Sequence, residues 1–214
     1  MFPLIKRMRT KTRKQRFREL ETAVNQGLNA SIIEIAQGYL RDFPKHALAW
    51  IDYGNALADF GRYEEARAAL LKARKLLPAK YLDVPCHYMG RLYERRGDYR
   101  RAIEWYKRAS TVLPKNASHF NLIGAMFAKL GRHAEAKKYF RQAIKCTEGA
   151  IDESYYNLGH VLGAHGRYKE ALACFEKALE IDPKYKVAKQ AIKDMRSVLA
   201  IKGTSNNSLN ASAS

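Results

Sequence analysis

The chain has 214 residues, of which 47% are hydrophobic and 28% charged, so it can bury a core and is not a wholly disordered chain. Thirty-nine Lys and Arg against 21 Asp and Glu give a net charge of +18, which favours anionic partners without choosing among them. Three cysteines with no C-x-x-C spacing argue against a disulfide scaffold or a cysteine-ligated zinc site.

Residues 1–14 are predicted to form a basic, flexible arm. Residues 1–18 hold eight Lys and Arg and no acid, and they lack the roughly 7 to 15 residue apolar core of a secretory signal. We therefore predict a cytoplasmic protein, and an organellar targeting role for the arm stays open. The following residues, 15–46, contain two helical patterns on either side of Gly27 and end in Phe43-Pro44.

Four segments of similar sequence follow over residues 47–184. Each has a glycine at the same place, namely Gly54, Gly90, Gly124 and Gly159. These glycines are separated by 36, 34 and 35 residues. A second glycine lies seven residues further on in every segment, at Gly61, Gly97, Gly131 and Gly166. A period near 34 residues indicates a repeat protein, with repeats at 47–82, 83–116, 117–151 and 152–184.

Each segment is predicted to be a pair of helices. Apolar residues at helical spacing lie on both sides of the second glycine, as Trp50 and Leu70 do around Gly61. The second glycine marks the turn, because glycine readily adopts the left-handed conformation that ends a helix. The first glycine lies inside a helix, where it costs about 1 kcal/mol relative to alanine, so we expect the partner helix to approach closely there. Proline is expected to end the second helices, at Pro78, Pro114 and Pro183.

Residues 47–184 resemble the tetratricopeptide repeat. The matching positions in the first segment are Trp50, Tyr53, Gly54, Leu57, Ala66, Leu70, Ala73 and Pro78. Later segments depart from the pattern at Cys86, His133 and Glu148. The resemblance implies an all-α fold, an alpha-alpha superhelix that is a solenoid of helix-turn-helix repeats, and it makes residues 15–46 a degenerate first repeat. It also implies a concave groove, lined by the first helix of each pair, that holds a peptide or a helix of a partner protein.

The C-terminal residues are predicted to close the solenoid. Residues 185–202 form an amphipathic capping helix, with Val187, Ala191 and Met195 available to face the last repeat. Residues 203–214 are rich in Ser, Asn and Ala and carry no aromatic residue, so we expect them to be disordered. No stretch approaches the roughly 18 apolar residues of a membrane-spanning helix, so no membrane span is expected.

No pattern points to catalysis. The phosphate-loop, dinucleotide-binding, H-E-x-x-H and G-x-S-x-G motifs do not occur in the sequence. His160 and His165 are five residues apart, which places them on different sides of a helix rather than around one metal ion. We therefore predict a binding protein that is not an enzyme, with no catalytic residue, no metal and no cofactor.

Polar side chains on the first helices are the candidates for binding a partner. His87, Arg91 and Arg95 are spaced by four and form a stripe that suits a carboxylate, so an acidic peptide is one expected partner. Asparagine amides suit a peptide main chain because they both donate and accept hydrogen bonds. The candidate groove residues are Asn55, His87, Tyr88, Arg91, Arg95, Asn121, Lys129, Tyr156, Asn157 and His160. The simpler interpretation of any one of them is a solvated polar residue on an exposed helix face.

An alternative function is binding of RNA, a ribosome or another polyanion. Its candidate surface comprises Lys6, Arg7, Arg9, Lys11, Arg13, Lys14, Arg100, Arg101, Lys137 and Lys138. A basic arm that only keeps the protein soluble would explain the same charges. A third hypothesis is self-association through the divergent first repeat, whose apolar residues include Phe17, Leu20 and Val24.

Overall fold

Helices make up most of the chain. The computed structural model describes the backbone of residues 11–211 and the side chains of residues 11–202. Within this range the α-helices are α1 (Arg13–Asn25), α2 (Asn29–Asp42), α3 (Ala47–Asp59), α4 (Tyr63–Leu76), α5 (Asp83–Arg95), α6 (Tyr99–Val112), α7 (Ala117–Lys129), α8 (His133–Ile144), α9 (Ile151–Ala164), α10 (Tyr168–Ile181) and α11 (Lys186–Ala211). A short 3-10 helix, Ala79–Tyr81, precedes α5.

The helices belong to two compact units that divide between Arg96 and Gly97. In the first unit each helix from α1 to α5 packs against the next, and α3 also contacts α5. In the second unit the same succession runs from α6 to α11, and α7 also contacts α9. First helices therefore lie side by side within each unit, which gives each unit one face made of first helices.

The beginning of α1 corrects the prediction of a flexible arm over residues 1–14. Thr12 caps α1, since its side chain accepts a hydrogen bond from the backbone of Gln15 at 3.3 Å. The Gln15 side chain accepts one from the backbone of Thr12 at 2.8 Å in return. This reciprocal pair forms a capping box, which satisfies two amide groups that the helix end would otherwise leave unpaired. Arg13 and Lys14 are therefore helical, and residues 1–10 lie outside the described residues.

The close approach expected at the first glycine of each repeat is confirmed for three repeats. A Cβ built on Gly54 would lie 2.9 Å from Leu70 Cγ. The same atom on Gly124 would lie 2.6 Å from Phe140 Cε1, and on Gly159 it would lie 2.6 Å from Phe175 Cε1. Glycine lets an aliphatic or aromatic side chain of the second helix rest on the backbone of the first.

The ends of the second helices follow the prolines. α4, α6 and α10 end at Leu76, Val112 and Ile181, each two residues before a proline. α8 ends at Ile144, and the loop after it, where Glu148 replaces proline, makes an isolated β-bridge between Asn116 and Glu148. Gly149 follows with a φ of 82°, a left-handed backbone conformation that residues other than glycine adopt only at a cost in free energy.

The C-terminal helix is longer than predicted. The sequence predicts a capping helix that ends at residue 202 and a disordered tail, but α11 continues to Ala211. No proline occurs after residue 183, and the one glycine in the way, Gly203, costs only about 1 kcal/mol inside a helix. The composition of the tail alone therefore does not end the helix, and residues 212–214 lie outside the described residues.

Candidate functional site

The predicted groove residues of the first unit lie on the faces of α3 and α5. Arg95 forms an ion pair with Asp59, and its Nη1 donates to Asn55 Oδ1 at 3.3 Å. The side chains of Arg95 and Asp59 are 27% and 23% exposed, so the pair is partly shielded from water. Two of the predicted groove residues, Asn55 and Arg95, thus hold each other, and the predicted stripe does not present Arg95 as an unpaired cation.

The rest of that stripe is aromatic as well as basic. The guanidinium of Arg91 lies 5.7 Å from the centre of the Tyr88 ring, and the His87 and Tyr88 rings are 5.4 Å apart. These three side chains are all half-buried. A cation held over a ring in this way is attracted to the π face and can still meet an anion on its open side.

Asp52 is a residue near these side chains that no sequence motif marks as part of a site. It lies on α3 three residues before Asn55, and therefore on the same side of the helix. Burial raises the pKa of its carboxyl group from 3.8 to about 6, with a smaller contribution from the charge of Glu21. Helical spacing from Asn55 would have identified this position, but nothing in the sequence shows how far it is buried.

In the second unit, the structure contradicts the prediction that Asn121 is an accessible groove residue. Its side chain is only 2% exposed, and its Nδ2 donates to the carbonyl oxygen of Ala150 at 2.8 Å. Asn121 therefore fixes the loop before α9 instead of offering its amide to a partner. Lys129, by contrast, is exposed, and its Nζ lies 5.3 Å from the centre of the Tyr99 ring.

Three predicted groove residues, Tyr156, Asn157 and His160, lie on α9, and two of them line a cavity. This cavity of about 410 Å³ lies between α9, α10 and α11 and is here called the α9–α11 cavity. Its apolar wall includes Phe175, Val187, Ala191 and Met195. Its polar lining comes from Tyr156, His160, Gln190 and Asp194.

Aromatic rings form one side of the α9–α11 cavity. The Tyr156 ring lies 4.5 Å from that of His160, 5.7 Å from that of Phe175 and 5.3 Å from that of Tyr185, between ring centres. Partial burial lowers the pKa of His160, which favours the neutral imidazole, and its ring forms part of the wall. The result is an aromatic surface that can accept an apolar side chain of a partner.

Residues from α11 complete the cavity, although no motif in the sequence marks them as binding residues. α11 packs along α10 and meets α9 where Met195 Cε lies 3.2 Å from the position of a Cβ on Gly163. Gln190 Nε2 donates to Asp194 Oδ1 at 2.7 Å, which fixes the carboxylate at the cavity. The sequence predicts that Val187, Ala191 and Met195 face the last repeat, and this helical spacing is the pattern that could have identified the α11 wall of the cavity.

The predicted anion surface divides into paired and unpaired cations. Lys11 forms an ion pair with Glu19 at 2.6 Å, and Arg13 Nε donates to the Tyr39 hydroxyl at 3.4 Å. Arg101 pairs with Asp98 at 3.3 Å. Lys14, Arg100 and Lys138 are exposed, whereas Lys6, Arg7 and Arg9 lie outside the described residues.

One face of α8 carries cations that form no ion pair within residues 11–202. Lys137, Lys138, Arg141 and Lys145 line a shallow depression of about 480 Å³, together with Ala134 and Gln142. These four residues are here called the α8 basic face. Lys137 and Lys138 lie four and three residues before Arg141, and Lys145, which directly follows α8, lies four residues after it, so their charges add along one side of the helix.

Two further properties concern the described residues alone. No group of three or more His, Cys, Asp or Glu side chains among them is arranged to hold a metal ion. None of the helices that they form combines the length and the apolar character needed to cross a bilayer.

The sequence matches known repeat proteins. A family model described as Tetratricopeptide repeat matches residues 83–149 and 115–184, and a second model of that description matches residues 22–80. The chain is 33% identical over 109 residues to small glutamine-rich tetratricopeptide repeat-containing protein 2 of Mycosarcoma maydis, covering 51% of this chain and 31% of that protein. It is 29% identical over 146 residues to human tetratricopeptide repeat protein 7B, covering 68% of this chain and 17% of that protein. The chain thus spans less than a third of the length of these relatives.

Solved structures show the same architecture. The C-terminal part of a TPR repeat-containing protein from Cytophaga hutchinsonii aligns with a TM-score of 0.70 and 18% identity, covering 87% of this chain and 72% of that one. The MamA protein aligns with a TM-score of 0.62 and 19% identity, covering 80% of this chain and 92% of that one. At these identities the likeness concerns the fold, which is that of solenoids of helix pairs. From the repeated helix pairs, their glycine contacts and the two family matches, we conclude that the chain belongs to the tetratricopeptide repeat family.

Proposed function

We propose that this chain is a non-enzymatic scaffold that binds a segment of another protein on the faces of its first helices. Membership of the tetratricopeptide repeat family supports an interaction scaffold in general terms. The observation that carries the more specific proposal is the α9–α11 cavity, because two predicted groove residues, Tyr156 and His160, line it.

The size and lining of the cavity suit one or two side chains of a partner. Its volume of about 410 Å³ falls among those of pockets that hold small ligands, roughly 300 to 1,000 Å³. Burial of one leucine-sized side chain there would contribute about 1.5 to 3 kcal/mol. A single anchor of this strength gives weak binding, so we expect additional contacts along α9, where Asn157 is half-buried and next to Tyr156.

Site-specific photo-crosslinking tests this proposal. Ala164 lines the cavity and is exposed, whereas Ala173 is exposed on α10 outside the cavity lining. A diazirine amino acid of about the size of leucine at either position leaves the buried core untouched and, unlike tryptophan, is too small to fill the mouth of the cavity. In a lysate of the source organism, we expect position 164 to crosslink to a defined protein and position 173 not to do so. Equal crosslinking at both positions, or none at 164, would contradict the proposal.

A second candidate function, binding of a polyanion such as RNA, draws support from the α8 basic face. Four cations without an ion pair within residues 11–202 would neutralise about four phosphates of a single strand. At about 0.7 per contact, log K should then fall against log salt with a slope of about −3.

Labelled single-stranded RNA, titrated across a salt series, tests this candidate. A variant with Lys137, Lys138 and Arg141 changed to Gln should lose most of the affinity. The matched control is Lys177→Gln, because Lys177 pairs with Glu180 at 2.6 Å and is not part of the face. Deletion of residues 1–10 separates the arm from α8 while keeping the Thr12 cap. Unchanged RNA affinity in the triple variant would exclude the α8 basic face as the site.

A further inference from the structure

The α9–α11 cavity lies in an acidic part of a basic chain. Residues 152–184 contain four Lys and Arg and six Asp and Glu, a net charge of −2, although the whole chain carries +18. Acids on the outer side of this repeat are neutralised. Glu170 pairs with Arg167 at 2.5 Å, and Glu180 pairs with Lys177 at 2.6 Å.

Carboxylates near the cavity have no such partner. Asp194 lines the cavity and accepts a hydrogen bond from the neutral amide of Gln190 at 2.7 Å. Burial raises the pKa of Tyr185 to about 12, and the nearby charges of Glu153, Asp152 and Asp182 add to the shift. Within residues 11–202 none of these four carboxylates forms an ion pair, so their negative charge stays available to a ligand.

The lysines at the beginning of α11 are not among the residues that line the cavity. Lys186, Lys189 and Lys193 each precede a cavity-lining residue by one position. Successive residues of a helix are rotated by about 100°, since a turn holds 3.6 residues. These cations therefore lie on the neighbouring side of α11, and Asp194 is the charged residue that this helix contributes to the lining.

We infer that the α9–α11 cavity binds a partner segment in which an apolar side chain is flanked by Lys or Arg. The apolar side chain packs against Tyr156, Phe175 and Met195. The flanking cation meets Asp194 on one side, or Asp152 and Glu153 near Tyr185 on the other. This inference rests on the proposed function, and it specifies a basic partner segment where the stripe on α5 had suggested an acidic one.

A random dodecapeptide display library, selected on the full chain, tests the inference. We expect the enriched peptides to share an apolar residue with Lys or Arg within about four positions. Enrichment should be lost on Ala164→Trp, which fills the mouth of the cavity from an exposed position. Two results would overturn the inference. One is enrichment of peptides with Asp or Glu beside the apolar residue, and the other is enrichment of the same basic peptides on the Ala164→Trp variant.

Charge variants then test the electrostatic part with the best selected peptide. Asp194→Asn, or Glu153→Gln where the peptide cation lies on the Tyr185 side, should weaken binding about threefold at low salt, as expected for an exposed ion pair. Glu104→Gln, which removes an exposed carboxylate of α6, is the control and should leave the affinity unchanged. Wild-type affinity in both Asp194→Asn and Glu153→Gln would overturn the role of the carboxylates.

The crosslinking experiment separates the two proposals. If position 164 captures a protein whose crosslinked segment carries Asp or Glu and no Lys or Arg near the contact, the basic specificity is wrong and the scaffold function stands. If position 164 captures nothing while the display selection still yields basic peptides that fail on Ala164→Trp, the cavity specificity stands and the cellular scaffold function loses its support.

Discussion

Gly124 lies in the middle of α7, and the Phe140 ring of α8 rests directly on it. Its replacement by alanine sets two effects against each other. Alanine gains about 1 kcal/mol in helix propensity over glycine. The new Cβ would lie 2.6 Å from Phe140 Cε1, 2.8 Å from Cδ1 and 3.0 Å from Cζ, all well inside van der Waals contact.

The ring cannot move aside without cost, because Phe140 is only 2% exposed. Overpacking of a core costs about 1 to 3 kcal/mol, and three clashing ring atoms place this case at the upper end. The gain in helix propensity offsets about 1 kcal/mol of this cost, so we expect Gly124→Ala to lower the free energy of unfolding by about 2 kcal/mol. The midpoint of thermal unfolding should fall by about 4 to 8 °C.

The matched control is Gly38→Ala in α2. Gly38 is also inside a helix, but the nearest atom to its Cβ position is Arg16 Nη2 at 3.8 Å, an ordinary contact. This variant should therefore raise stability by up to about 1 kcal/mol. Urea unfolding followed by circular dichroism measures both. If Gly124→Ala matched or exceeded the wild type in stability, close packing of α8 on the glycine would not explain the repeated glycine.

Three further predictions concern charges and a loop. The pKa of Asp52 rises from 3.8 to about 6 on folding, so its contribution to stability is fully present below about pH 4 and is lost as pH rises to about 6. Asp52→Asn should remove this pH dependence of stability and stabilise the chain at pH 7 by up to about 3 kcal/mol, as measured by urea unfolding at several pH values. Arg95 and Asp59 are both partly exposed, so a double-mutant cycle with alanine should give a coupling free energy below about 1 kcal/mol; a value of several kcal/mol would show a far drier pair. Gly149→Ala combines a φ of 82° with a Cβ 2.5 Å from Asn116 Oδ1, and it should lower the free energy of unfolding by about 2 kcal/mol, with faster amide exchange in the loop before α9.

Sequence reasoning succeeded where a feature depends on the local backbone. The turn glycines have left-handed φ angles near 70°, with 73° at Gly61 and 75° at Gly166, and the second helices end before their prolines. These conformational requirements act within a few residues, so the type of residue alone predicts the turn or the helix end. The length of α11 shows the limit of this reasoning, since composition predicted disorder where no residue ends the helix.

Contacts between repeats were harder to foresee. Asn121 looks like an accessible amide in the sequence. However, the loop before α9, in which Glu148 stands in place of the usual proline, brings the carbonyl oxygen of Ala150 to the Asn121 Nδ2. The ion pair between Asp59 and Arg95 did leave a signal. These residues are 36 apart, the same offset as Gly54 and Gly90, so opposite charges occupy equivalent positions of successive repeats. Charge pairing at the repeat offset is a pattern that a search within single helices does not detect.

The position of the α9–α11 cavity follows from how the second unit ends. α7 and α9 are both first helices and contact each other directly, whereas α11 packs mainly along α10. α11 approaches α9 near Gly163, where Met195 fits beside a residue without a side chain. Between α9, α10 and α11 a cavity remains, and Tyr156, His160 and Ala164 of α9 line it. Within residues 11–211 no further helix follows α11, so no helix of this range presses α11 against α9, and a cavity can form beside it at little cost in stability.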